Sequence, residues 1–84
     1  VRITVTESAW DDYLWFQDNN RKLLKRVNQL IKDIVRSPFE GMGKAEPLKG
    51  NLSGCWSRRI DHEHRLVYQV AKDDLIIIAC RYHY

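Results

Sequence analysis

The sequence predicts an α+β fold: an N-terminal strand, an antiparallel hairpin of two helices, then an antiparallel meander forming one sheet packed on the helices. Three observations carry that expectation. Apolar residues recur with helical period from Leu23 to Val35, the last third of the chain alternates with period two, and Val1–Thr6 alternates apolar and polar with β-branched residues throughout. A chain of 84 residues is expected to make one domain, residues 1–84, with a single small core holding about 60–65% of the unfolded surface away from water.

In chain order, Val1–Thr6 reads as a strand with one buried face that ends at Glu7. Ser8 is the expected N-cap, with Asp11 three residues on in a capping-box position, opening a helix through Trp10, Tyr13, Leu14 and Gln17. Asp18-Asn19-Asn20 interrupts it. From Arg21, the residues Leu23, Leu24, Val27, Leu30, Ile31, Ile34 and Val35 form one buried stripe of a second helix. Its other face carries Arg21, Lys22, Lys25, Arg26, Lys32 and Arg36, a solvated face or a surface turned toward phosphate. Ser37-Pro38 stops the helix, because the residue before proline is pushed out of the α region. The short punctuation between the helices makes them an antiparallel hairpin.

Residues 39–54 hold four glycines and one proline and read as a surface loop that brings Glu40, Lys44, Glu46 and Lys49 together. Loops of this length in small proteins tend to carry function. Strands follow at Cys55–Ile60, His64–Val70 and Asp74–Tyr84, with turns at Asp61-His62-Glu63 and Ala71-Lys72-Asp73. Alternation turns Trp56, Ile60, Leu66, Tyr68 and Val70 toward the helices. Ser57, Arg59, Arg65, Val67 and Gln69 fall on the opposite, uncovered face. The last strand runs directly from Leu75-Ile76-Ile77-Ile78 into Arg81-Tyr82-His83-Tyr84, so an apolar strand is expected to tie down acid–base groups at the terminus.

Composition narrows the function. Fourteen Lys and Arg against eleven Asp and Glu give a net charge of +3, which permits an anionic partner without demanding one. Cys55 and Cys80 sit in apolar runs without Cys-x-x-Cys spacing, so buried free thiols are expected and a zinc knuckle or redox pair is not. No stretch resembles a signal peptide and no apolar run is long enough to span a bilayer, which places the protein in the cytoplasm, with no membrane partner. Val1 is not an initiator Met, so the start is expected to have been processed, trimmed or altered.

His83 is the leading acid–base candidate, because its ordinary pKa lies near neutrality and a strand anchors it. His62 and His64 flank a turn too short to aim both, with Glu63, at one ion, so they read as structural and no metal site is expected. Arg59 and Arg65 on one sheet face, with Lys49 from the loop, form a cluster of phosphate size; a salt-bridge network with Glu46 and Glu63 is the alternative. Trp15 and Phe16 lie off the Trp10/Leu14 stripe and could cover a partner. A carboxylate, a histidine, one or two arginines and a terminal tyrosine suffice for RNA cleavage without a metal or other cofactor. The 2′-hydroxyl attacks phosphorus, one group takes its proton, another protonates the 5′-oxygen, and arginine offsets charge on the phosphorane. DNA lacks the attacking hydroxyl. A repressor acting alone is disfavoured by the absence of a helix-turn-helix pattern.

The motifs themselves are specific. Pro38-Phe39-Glu40-Gly41-x-Gly43-Lys44-x-Glu46-Pro47-Leu48-Lys49, Leu52-Ser53-Gly54-x-Trp56-Ser57-Arg58-Arg59-Ile60, Glu63-His64-Arg65-Leu66-Val67-Tyr68 and Cys80-Arg81-Tyr82-His83-Tyr84 together resemble the YoeB/Txe toxins of the RelE superfamily over essentially the whole chain. The resemblance implies a RelE-like fold and a ribosome-dependent mRNA interferase, the toxin of a type II toxin–antitoxin pair, cutting mRNA in the ribosomal A site. It implies Glu46 as general base, His83 as general acid, Arg65 as the group stabilising the transition state and Tyr84 as the residue orienting substrate. Lys44, Lys49 and Arg59 are the implied phosphate-holding positions. The implied partners are mRNA and the ribosome, a YefM-like antitoxin whose C-terminal segment covers the active site, and a second toxin copy meeting through the aromatic first helix. Operator DNA is bound only through the antitoxin. The chain departs from the family pattern at Gly50 and at Cys55, where an aromatic residue is usual. A non-catalytic module binding RNA or the ribosome is the competing function.

Overall fold

The computed structural model describes residues 1–81. Its elements are β1 (Arg2–Val5), α1 (Glu7–Asn19), α2 (Arg21–Arg36), β2 (Glu46–Pro47), β3 (Trp56–Arg59), β4 (Arg65–Ala71) and β5 (Asp74–Ala79), with a 3-10 turn at Gly50–Leu52. One sheet runs in the order β1-β5-β4-β3-β2; β1 lies parallel to β5 and every other pair is antiparallel. This is the expected strand, helical hairpin and meander.

Capping chemistry sets the helix ends. The N-cap of α1 is Thr6, not Ser8: its Oγ1 accepts from the Ala9 N–H at 3.1 Å and donates to the Ile78 carbonyl at 2.9 Å. One hydroxyl thereby starts the helix and ties that start to β5, which Ser8 would be a full step too late to do. Asn20 closes α1 and opens α2, its N–H donating to the Phe16 carbonyl at 2.8 Å while its Oδ1 accepts from the Leu23 N–H at 3.2 Å. A single junction residue leaves no room for anything but a hairpin.

The core lies between the hairpin and one sheet face, where Ala9, Phe16, Val27, Leu30 and Ile34 meet Ile60, Leu66, Tyr68, Leu75 and Ile77. Val35 stays at the edge of the α2 stripe, 39% exposed. On α1 the expected stripe is rotated: Phe16 is fully buried and so is closed to a partner, Trp15 is partly buried against the core, and Trp10 is half exposed and stacks on Tyr13. The buried face predicted for β1 is absent: Ile3 and Val5 are 47% and 41% exposed on this edge strand, which has only one strand neighbour.

The far face of the sheet is not bare. Part of the segment read as loop is β2, pairing Glu46 with Ser57 and Pro47 with Trp56, and the 3-10 turn follows it. Leu48 from this segment packs on Cys55 and Val67, with Leu52, Ile78 and Ala79 alongside, as a second small apolar cluster. Cys55 thus points away from Trp56, and both thiols are free and buried.

Candidate functional site

The site grows from the turn before β2. Gly41, Gly43 and Lys44 all have positive φ, 122°, 80° and 56°. The glycines are needed for space as well as conformation: a Cβ on Gly43 would lie 2.9 Å from the Arg59 carbonyl oxygen, and one on Gly41 would collide with the Asp33 carboxylate. The Arg59 N–H donates to the Gly43 carbonyl at 2.6 Å, so the turn is stitched to β3 immediately before Lys44 and Glu46.

Behind that turn lies Arg58, fully buried on the helix side of β3. Its five N–H donors are all used. Nε donates to the Tyr68 hydroxyl at 3.0 Å, Nη1 to Asp33 Oδ2 and the Met42 carbonyl at 2.8 Å each, and Nη2 to the carbonyls of Ser37 and Glu40 at 2.7 and 3.0 Å. The Tyr68 hydroxyl donates in turn to the Pro38 carbonyl at 2.6 Å. Hydrogen bonds from Arg58, then Arg36, then the Met42 N–H hold the Asp33 carboxyl down at about 2, while burial pushes the Tyr68 phenol up. The carbonyls of Ser37, Pro38, Glu40 and Met42 in the irregular chain next to Arg58 are thereby all met. Sequence reading left Arg58 out, since a charged side chain on the inward register gives no sign of partners 16–25 residues away.

On the far face, Glu46 of β2 lies opposite Ser57 of β3, and Ser57 opposite Val67 of β4; one step along, Arg59 lies opposite Arg65. Glu46 Oε1 is 3.8 Å from Lys44 Nζ and 3.9 Å from Arg65 Nη1, ion pairs too long to be hydrogen bonds. Arg65 is mostly buried, its side chain 16% exposed, and among the described residues neither its Nη1 nor the Ser57 Oγ has a hydrogen-bond partner. Arg59 is exposed, its carbonyl accepting from Arg26 Nη2 at 3.2 Å. The fold therefore brings Lys44, Glu46, Arg59 and Arg65 together. Lys49 begins the 3-10 turn, exposed, with no ion pair to this group among the described residues.

The salt-bridge alternative is half right. Glu46 does lie between cations, but Glu63 instead sits 3.4 Å from His64 Nε2. His64 is buried against Phe16 and Trp15, with ring centroids 5.2 and 6.3 Å away, and its N–H donates to Asp61 Oδ1 at 2.7 Å. It belongs to the packing, as its place at a turn suggested. Among the described residues no group of three or more His, Cys, Asp or Glu could hold a metal ion.

The exit of β5 is fastened to α1. The Cys80 N–H donates to Asp12 Oδ2 at 3.1 Å, its thiol reaches the Ala9 carbonyl at 3.6 Å, and the Arg81 guanidinium lies 3.7 Å from the centre of the Trp15 ring. Burial pushes the Cys80 thiol up to about 12, so it stays protonated and unreactive. Ala79 pairs with Val67, two residues from Arg65, so the chain leaves the sheet at the end where Arg65 stands. His83 and Tyr84, the expected acid and substrate-orienting residue, lie outside the described residues.

Comparison with known proteins agrees with this architecture. Residues 5–84 match the model of the YoeB-like toxin of bacterial type II toxin-antitoxin systems. The chain is 66% identical to Toxin YoeB of Synechocystis sp. over 84 residues, covering all of this chain and 98% of that protein. Among solved structures, a YoeB/ParE toxin from Agrobacterium tumefaciens superposes with a TM-score of 0.97 at 45% identity, covering all of both chains. A Staphylococcus aureus YoeB, seen both in a YoeB-YefM complex and as a YoeB dimer, superposes at 0.91 and 0.93 with 50% and 49% identity, over all of this chain and 98% of each of those chains.

Proposed function

Because the chain belongs to the YoeB-like toxins of bacterial type II toxin–antitoxin systems, with their RelE-like α+β fold, we propose that it is a ribosome-dependent mRNA interferase, cleaving message in the ribosomal A site. The observation that supports this best is the pairing of Glu46 with a largely buried Arg65 whose Nη1 has no hydrogen bond among the described residues, on one sheet face with Lys44 and Arg59. A base and a preorganised cation side by side suit attack by a 2′-hydroxyl on its neighbouring phosphate.

In this reading Glu46 takes the 2′-hydroxyl proton as the 2′-oxygen bonds to phosphorus. Arg65 offsets the charge gathering on the phosphorane oxygens, and Lys44, Arg59 and Lys49 hold flanking phosphates. The P–O5′ bond breaks, and His83 gives its proton to the departing 5′-oxygen, with Tyr84 orienting the substrate. The products are a 2′,3′-cyclic phosphate, or the 3′-phosphate from its hydrolysis, and a 5′-hydroxyl. Protein groups suffice for every proton transfer. The partners would be mRNA and the ribosome in the cytoplasm, a second copy of the toxin, and a YefM-like antitoxin through which alone operator DNA is bound. A YoeB–YefM complex and a YoeB dimer of the S. aureus relative support the last two protein partners. No helix among the described residues is long and apolar enough to cross a membrane.

A non-catalytic ribosome-binding module draws on a different feature. Lys22 and Lys25 of α2 are exposed and, among the described residues, lack ion pairs, beside a basic depression they line with Arg26. That surface could seat ribosomal RNA phosphates under either reading, so product chemistry separates them. Primer extension on mRNA from a translating extract should show cuts dependent on programmed ribosomes, lost with His83→Gln. Intact message with the wild-type protein would discard the enzyme.

A further inference from the structure

The two unpartnered polar atoms of the far face belong to one problem. Among the described residues, Ser57 is fully buried yet its hydroxyl makes no hydrogen bond, Arg65 Nη1 is buried and makes none, and Glu46, 38% exposed, is approached by cations only at 3.8 and 3.9 Å. A buried donor left without a partner loses its hydration and gains nothing in return, and native proteins seldom tolerate two as neighbours. Ser57 is the direct register partner of Glu46, and Arg65 stands diagonally across from Ser57, opposite Arg59. Facing side chains on paired strands have Cβ atoms about 4.5–5.5 Å apart, and diagonal positions about 7–8 Å, within reach of a long side chain.

We propose that Ser57 is a positioning residue of this site: its hydroxyl links Arg65 to Glu46 in the substrate-bound state, accepting from Nη1–H and donating to the Glu46 carboxylate. The inference rests on the nuclease reading and deepens it. In the structure, Lys44 competes for the same carboxylate oxygen from the exposed side, its own side chain 65% exposed. An RNA phosphate arriving on Lys44 removes that competitor, and Glu46 turns inward to the Ser57 hydroxyl. The two orphan donors and the unbonded carboxylate are then satisfied at once. The base becomes fixed only when substrate is present, and it is aimed from the same backbone register that carries Arg65. Serine suits the place because a hydroxyl both accepts and donates. An alanine there would pack equally well and leave the chain of hydrogen bonds broken.

Removing an unpaired buried hydroxyl should not harm the fold, which gives the test its leverage. Ser57→Ala is expected to keep or raise the thermal midpoint. It should still bind programmed ribosomes whose message carries a 2′-deoxy nucleotide at the scissile position, with affinity unchanged within about twofold, while single-turnover cleavage of normal message falls about ten- to a hundredfold through misplacement of the base. Ser57→Cys keeps the side-chain shape with a larger atom at its tip but donates and accepts poorly, and it should fall likewise, which covers the case in which the lost atom in alanine loosens β3. Cleavage at the wild-type rate by either folded variant overturns the role of Ser57 and leaves the nuclease reading intact. No cleavage by the wild type on programmed ribosomes removes the nuclease reading, and this inference with it.

Discussion

At Glu46 the proposed catalysis and the stability of the fold should part. Its ion pairs are long and partly exposed, and such pairs contribute about 0–1 kcal/mol. Glu46→Gln should therefore leave the denaturant midpoint nearly unmoved while slowing cleavage by roughly 10²–10⁴, the usual worth of a general base. Arg65→Ala should lose on the order of 10²–10³ through charge stabilisation, and single-turnover assays on programmed ribosomes read both. Gly43 behaves in the opposite sense. An added Cβ would meet backbone atoms of Arg59 at 2.9 and 3.1 Å at a φ of 80°, and overpacking of that kind costs roughly 1–3 kcal/mol. Urea unfolding of Gly43→Ala checks this, and cleavage should fall as well, because the same turn aims Lys44 and Glu46.

Between elements, Arg58 is the fastening that joins the sheet to the end of α2 and to the chain leading into β2. Deleting its side chain leaves Asp33, Tyr68 and the carbonyls of Ser37, Glu40 and Met42 without their donor. Breaking a buried pair in this way typically costs about 3–5 kcal/mol, which equilibrium unfolding of Arg58→Ala would report. The pH dependence has a definite sign. Asp33 is held down from 3.8 to about 2 in the folded protein, so its contribution is fully present above its ordinary value and lost as pH falls from about 4 to about 2. Asp33→Asn should accordingly be less stable than wild type at pH 5, with the gap closing toward pH 2. A gap constant across that range would mean that the Asp33 charge contributes nothing to folding.

For the molecule as a whole, the interior position of β5 in the sheet should separate folding from the proposed chemistry. It is hydrogen-bonded to β1 on one side and β4 on the other, and its exit is held by Asp12. Deleting Tyr84 should therefore preserve the far-UV circular dichroism spectrum and thermal midpoint while impairing cleavage. A loss of folded signal would place Tyr84 in the structure rather than the reaction. Trp10 of α1 and Ile3 and Val5 of β1 are large apolar side chains that stay exposed.

The sequence by itself determined the elements whose signals are local. The α2 stripe gave Arg21–Arg36 directly, Ser37-Pro38 ended it, and alternation sorted Arg59 and Arg65 onto one face. Periodicity is a property of neighbouring residues, so it can be read without the fold. Tertiary structure alone decided which strand β1 joins and in which direction, that two residues of a glycine-rich segment would pair as β2, and that Arg58 would be buried. It also set Ser57 between Glu46 and Val67 with its hydroxyl unpaired among the described residues. Each of these depends on partners brought from elsewhere in the chain. An inward arginine is tolerable only where five acceptors converge on it, and a register pair exists only once both strands are in place.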